Sequence, residues 1–226
     1  MFMDFPACVD SKALKLTVGV GFALGGIWFS PEARRWRQLL AASGAGGFIP
    51  WRFFCYAGFP MSVIDEVLQC NEVYSQTHEL RPLTPRPARR LAVLTCMDTR
   101  FSIRTLGLKT GDAHIIRNAG GIVTDDSLRS LLVSHYLLDT QEFMVINHTD
   151  CGMMHTTEQD LRTRIQTQAG TAAVAPAFFY AFQNIEENVR DQIQKLRTHP
   201  WVPKKISVRG FVYDVTSGRL REVTGV

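Results

Sequence analysis

Hydrophobic and polar residues alternate in two different periods along the second half of the chain. Three short apolar runs are bounded by polar clusters, which is typical of buried strands: residues 91–95, 114–117 and 142–147. Two other stretches repeat apolar residues every three or four positions and so predict amphipathic helices. One of them begins at Thr124 or Asp125, and the other covers residues 186–198. This alternation of strand and helix predicts right-handed parallel crossovers and an α/β fold.

The C-terminal pattern differs from the rest. Residues 207–215 alternate as a strand does, residues 216–218 favour a turn, and residues 220–223 are expected to pair back on that strand. The prediction for the whole is a central, mostly parallel β-sheet flanked by helices, with a C-terminal hairpin-like strand pair.

Residues 1–60 lack this periodicity and are interpreted as an N-terminal extension. Residues 16–31 are uncharged and rich in glycine, but they are shorter than the roughly 20 residues that span a bilayer. A signal or anchor, a poorly ordered extension, and a true start at Met61 remain open alternatives. Met61 opens a helical pattern that Ser62 is placed to cap, so residues 61–226 are expected to form one domain.

Composition narrows the class of protein. With 226 residues, of which 46% are hydrophobic, the chain can bury a core without disulfides. The net charge of +4 is scattered, so we expect no nucleic-acid partner, and a membrane location is not favoured either. The five cysteines are odd in number and irregularly spaced, which favours reduced thiols and a cytoplasmic location.

Two polar segments follow predicted strands, and both carry metal-binding side chains. Cys96 directly follows the first strand, while His148 and Cys151 follow the third. Loops at the carboxyl ends of neighbouring parallel strands meet in one crevice. Two thiolates and one imidazole suit Zn²⁺ and leave its fourth position for water, as in catalytic sites. Alternatively, Cys70 completes a closed structural site.

Asp98 and Arg100 lie two and four residues after Cys96. An aspartate beside a metal either binds the metal directly or accepts a hydrogen bond from its water. Arg100 can pair with Asp98 in a bidentate manner and hold it away from the metal. An ordinary ion pair within the loop is the alternative interpretation.

Three motifs in register resemble the beta-class carbonic anhydrases, in particular their compact bacterial branch. They are Cys96-x-Asp98-x-Arg100, Arg117-Asn118-Ala119-Gly120 and His148-Thr149-Asp150-Cys151-Gly152. The similarity extends from about Met61 to the C-terminus, and it does not include residues 1–60.

The resemblance implies reversible hydration of CO₂ to bicarbonate by a zinc-bound hydroxide. Cys96, His148 and Cys151 would hold the metal, and Asp98, fixed by Arg100, would accept a hydrogen bond from the hydroxide. Asp98 would also be a conditional metal ligand that closes the site when its pair with Arg100 breaks. The turn at residues 118–121 would offer backbone groups. A homodimer or a larger homo-oligomer is implied as well.

Other readings of the same residues remain. The same zinc site is able to hydrolyse carbon disulfide or carbonyl sulfide, which share the linear shape of CO₂, and a non-catalytic zinc-stabilised binding module is the third possibility. His155 is interpreted either as a proton shuttle or as a surface histidine. Phe101, Val123 and Met153 are candidates for the CO₂ pocket or for ordinary core packing.

Overall fold

The computed structural model describes residues 62–77, 83–172 and 176–225. The chain divides into two compact units, residues 1–80 and residues 81–226. In the first unit, helix α1 (Val63–Thr77) begins after Ser62, whose hydroxyl accepts a hydrogen bond from the Asp65 backbone N–H at 3.2 Å. The alternatives for residues 1–60 and the opening at Met61 lie outside the described residues.

The second unit is built on a five-stranded sheet. Its strands are β1 (Leu91–Cys96), β2 (Ala113–Asn118), β3 (Glu142–His148), β4 (Ser207–Tyr213) and β5 (Leu220–Glu222). The strand order is β2-β1-β3-β4-β5, with the first four parallel and β5 antiparallel to β4. The predicted mostly parallel sheet and its C-terminal strand pair are confirmed.

Three further helices accompany the sheet: α2 (Asp125–Tyr136), α3 (Glu158–Ala169) and α4 (Ile185–Thr198). Helices α2 and α4 follow the predicted periodicity, and Thr124 caps α2 through its side chain. The sequence pattern did not predict helix α3. This helix carries no buried residue and therefore shows no apolar stripe. The described part of the unit also contains two 3₁₀ turns, Ile103–Leu106 and Gly152–Met154.

The core lies between the central strands and helix α4. Val189, Ile193 and Leu196 of α4 are fully buried together with residues of β1, β3 and β4. At Gly210 of β4, an added Cβ would lie only 2.4 Å from the side chains of both Val189 and Ile193. The helix therefore approaches this strand closely because residue 210 has no side chain.

The parallel strands β1 and β3 end side by side at the same edge of the sheet, where Thr95 of β1 is in register with Ile146 of β3. Cys96 and His148, the last residues of these two strands, therefore lie close together. Within the described part of the chain, no helix has both the length and the apolar character that crossing a membrane requires.

Candidate metal centre

Three soft or borderline donor side chains converge where β1 and β3 end. Cys96 is the last residue of β1, His148 is the last residue of β3, and Cys151 precedes the 3₁₀ turn Gly152–Met154. Their ligand atoms all lie within 4.8 Å of one another, and all three residues are buried. The structure thus brings together the three side chains that the sequence predicted as ligands.

The imidazole of His148 is oriented for a cation. Its Nδ1–H donates a hydrogen bond to the Thr149 carbonyl oxygen at 2.9 Å, which leaves the lone pair on Nε2. Nε2 is buried, and it has no hydrogen-bond partner. A buried polar atom without a partner is costly, so this nitrogen, facing two sulfur atoms, fits a bound zinc ion.

The two thiols cannot both ionise easily without a cation between them. Contacts with Cys151 and His148 lower the pKa of Cys96 well below its ordinary value, and backbone N–H groups of Asp98 and Gly120 act in the same direction. The pKa of Cys151 is raised well above its ordinary value, first by its contact with Cys96 and then by burial. Zinc supplies the positive charge that allows both sulfurs to be thiolates.

Asp98 lies beside this cluster and is held by Arg100. The Nε of Arg100 donates to Asp98 Oδ1 at 3.0 Å, and a terminal nitrogen of the same guanidinium donates to Oδ2 at 2.8 Å. Chiefly through these bonds, Arg100 lowers the pKa of Asp98 to about 2. Asp98 Oδ2 is 3.7 Å from His148 Nε2, so the carboxylate adjoins the position a metal would occupy.

Arg117 fixes the backbone of the loop that carries Asp98. Its guanidinium donates to the carbonyl oxygens of Cys96 at 2.9 Å, Asp98 at 2.6 Å and Phe101 at 3.3 Å. The sequence placed Arg117 in a motif but gave it no role. Its position near the end of β2, beside the end of β1, could have indicated that it contacts the loop after β1.

Gly121 brings the following turn into contact with the first ligand. Its φ of +65° is in the left-handed region, and an added Cβ would lie 3.1 Å from the Cys96 backbone nitrogen and 2.8 Å from Asn147 Nδ2. The contact of Gly120 with the Cys96 sulfur agrees with the expectation that this turn offers backbone groups.

A buried chain of carboxamides supports that turn from below. Asn147 donates to the Gly120 carbonyl oxygen at 2.8 Å, Asn188 donates to Asn147 at 2.7 Å, and Gln192 donates to Asn188 at 2.9 Å. Gln192 then accepts from the Val123 backbone N–H at 2.9 Å. Sequence reasoning missed these residues. The sequence did contain a sign of this chain, because two amide residues, Asn188 and Gln192, lie four positions apart on the apolar face of α4.

The remaining candidates of the sequence have simpler surroundings. Phe101 is buried and packs edge-to-face on Tyr213, and Val123 belongs to the main core, so both contribute to core packing. His155 is exposed and contacts Asp150. Cys70 belongs to helix α1 of the first unit. It is disulfide-bonded, so the expectation of reduced thiols is wrong for this residue.

Comparison with known proteins gives the family. The family model described as carbonic anhydrase matches residues 91–220. Beta-carbonic anhydrase 1 of Mycobacterium tuberculosis is 41% identical over 166 residues, which cover 73% of this chain and 99% of the relative. The chain belongs to the beta-class carbonic anhydrase family.

Solved and curated relatives in this family show the range of similarity. The crystal structure of carbonic anhydrase from Streptococcus mutans has 41% sequence identity and a TM-score of 0.69, and the match covers 74% of this chain and 100% of that one. A carbon disulfide hydrolase from Acidianus is 38% identical over 59% of this chain and 77% of its own length. The fold and the cysteine–histidine cluster of the present chain are those expected of a zinc enzyme of this family.

Proposed function

We propose that this carbonic anhydrase catalyses the reversible hydration of CO₂ to bicarbonate at zinc held by Cys96, His148 and Cys151. The observation that carries the proposal is the buried, unpartnered Nε2 of His148 within 4.8 Å of two cysteine sulfurs. When bound, zinc lowers the pKa of a water from about 15.7 towards 7 and thereby supplies a nucleophile at neutral pH.

Asp98 and Arg100 orient the reaction. Oδ1 of Asp98 accepts from the Arg100 backbone N–H at 2.8 Å as well as from its guanidinium, and these contacts favour one orientation of the carboxylate while the pair is intact. Because the pKa of Asp98 is about 2, it is ionised at neutral pH and accepts a hydrogen bond from the reacting water. If the pair with Arg100 breaks, the same carboxylate becomes a conditional metal ligand.

The linear substrate carbon disulfide is the second candidate, because one relative is a carbon disulfide hydrolase. CO₂ is favoured because the mycobacterial carbonic anhydrase is more similar and is matched over 99% of its length. A non-catalytic zinc module, the third reading, requires a fourth protein ligand. The cluster found among the described residues offers three ligands, Cys96, His148 and Cys151.

Stopped-flow hydration of CO₂, with zinc measured in the same sample, tests the proposal. We expect about one zinc per chain and rapid hydration, with both lost in Cys96→Ser. Carbon disulfide should be turned over more slowly than CO₂ by the same preparation. Full activity in a zinc-free Cys96→Ser protein, or a preference for carbon disulfide, would contradict the proposal.

The active assembly is proposed to be a homodimer or a larger homo-oligomer. The support is an exposed apolar groove along α2, where Tyr136, Leu137 and Trp201 have 60%, 68% and 67% of their surface exposed. Patches of this kind mark contact surfaces in soluble proteins. Sedimentation velocity should give at least twice the mass of the chain, and Leu137→Asp should lower it.

The domain boundary and the compartment are part of the same proposal. Residues 61–226 are proposed as the catalytic domain, because the match to the mycobacterial relative covers 166 residues and leaves about a quarter of this chain outside it. A cytoplasmic location is proposed because Cys96 and Cys151 must remain free thiols to bind zinc, which reducing conditions favour. The disulfide of Cys70 makes an oxidising compartment the competing outcome of the test. Cell fractionation with an antibody to the C-terminus tests this assignment.

A further inference from the structure

Asp150, between the histidine and cysteine ligands, has an unusual backbone and an unusual partner. Its φ is +55°, a left-handed conformation that aspartate adopts more readily than most residues other than glycine. The conformation turns its carboxylate towards Arg100, 50 positions earlier in the chain. A guanidinium nitrogen of Arg100 donates to Asp150 Oδ2 at 2.7 Å, and a second one donates to the Asp150 carbonyl oxygen at 2.9 Å.

The guanidinium of Arg100 is thus hydrogen-bonded to carboxylates on two sides. Its Nε and one terminal nitrogen bind Asp98, while the other terminal nitrogen binds the Asp150 carboxylate. His155 Nε2–H donates to the remaining oxygen of Asp150 at 3.2 Å. Asp150 therefore restricts how Arg100 can move, and Arg100 restricts how Asp98 can move.

We propose that Asp150 is a positioning residue that, through Arg100, keeps Asp98 away from the fourth coordination position of the zinc. The inference rests on the proposed metal site. It concerns occupancy of that position, which is measurable without turnover. Asp98 Oδ2 is already 3.7 Å from His148 Nε2, so release of Arg100 lets the carboxylate compete for the metal.

The experiment uses the full chain with Co²⁺ in place of zinc and follows the visible spectrum during titration with azide, a small metal-binding anion. In Asp150→Asn, the left-handed backbone is tolerated but the charge is lost, and we expect the apparent azide affinity to weaken by about fivefold, the upper range for an exposed charge pair. Addition of Asp98→Asn to this variant removes the competing carboxylate and should restore most of the affinity.

The chain offers a matched control in Asp139. It too is an aspartate with positive φ, +63°, and it pairs with Arg90 at 3.2 Å, before β3 rather than after it. Asp139→Asn should leave azide affinity unchanged. Equal affinities in Asp150→Asn and Asp139→Asn, or a loss that Asp98→Asn does not restore, would overturn the role of Asp150. Failure of the wild-type protein to bind cobalt would instead count against the proposed metal site.

Discussion

The donors of the metal cluster and the carboxylate beside them are held by different kinds of contact. The buried floor consists of Cys96, His148 and Cys151 together with the Gly121 turn and its amide chain, Asn147, Asn188 and Gln192. The exposed rim consists of Asp98, Arg100, Asp150 and His155, whose side chains are 19%, 43%, 64% and 63% exposed. Hydrogen bonds within the floor join residues that are nearly inaccessible to water, whereas those of the rim are ion pairs in contact with it.

The difference has a physical consequence. A buried polar group that loses its partner costs about 1–3 kcal/mol, so the floor has a single favourable arrangement. Ion pairs at the surface contribute only about 0.2–1 kcal/mol, so the rim can rearrange at little cost. A fixed metal position beside an adjustable Asp98 is what a site needs when its fourth coordination position must open and close.

Removal of a donor from the floor should have the largest effect. Cys151→Ser leaves two of the three donors, and we expect zinc affinity to fall by roughly 100-fold or more, since even residues behind metal ligands contribute 10–100-fold. Zinc content after dialysis against a chelator measures this. Cys70→Ser, which changes a cysteine of the first unit, is the control and should retain zinc. Zinc retention by Cys151→Ser would remove that residue from the site.

Gly121→Ala should damage the floor through the backbone. The left-handed conformation costs about 1–2 kcal/mol with a side chain, and the Cβ would crowd Cys96 and Asn147 for about 1–3 kcal/mol more. Urea unfolding should show a loss near the sum of the two. Gly107→Ala shares the positive φ, +68°, but its Cβ meets nothing within 4 Å, so it should show the first cost alone. Equal losses in both variants would argue against close packing at the turn.

Arg100→Ala tests the rim independently of the floor. Since no donor of the cluster is touched, the variant should keep its zinc, while CO₂ hydration falls by roughly 10–100-fold because Asp98 is no longer oriented. Metal content and stopped-flow rates on the same sample measure the two effects. Arg104→Ala, an exposed arginine of the Ile103–Leu106 turn, is the control and should remain active. Loss of zinc in Arg100→Ala would mean that the rim supports the floor.

The smallest effect is expected at the outer end of the rim. His155→Ala removes one exposed contact of 3.2 Å and should change the free energy of unfolding by less than about 0.5 kcal/mol. Asn188→Ala removes a buried contact of 2.7 Å and should cost about 1–3 kcal/mol. Thermal unfolding of the two variants side by side makes the comparison. Similar losses of unfolding free energy in the two variants would contradict the difference between floor and rim.

The sequence predicted the parts of the molecule that depend on apolar pattern. The short buried runs predicted strands that end one residue before Cys96 and His148, and the parallel topology then placed the donors together. Helix α3 escaped prediction because it buries nothing. The contact between Arg100 and Asp150 also could not be predicted, since it depends on a left-handed backbone at one residue and on the approach of two loops far apart in the chain.

Zinc K-edge X-ray absorption of the wild-type protein at neutral pH tests the central claim most directly. We predict two sulfur ligands near 2.3 Å and two nitrogen or oxygen ligands near 2.0–2.2 Å, the set given by Cys96, Cys151, His148 and one exchangeable position. Three or four sulfur ligands would indicate a closed structural site, and one sulfur or none would show that the buried floor is not where the metal binds.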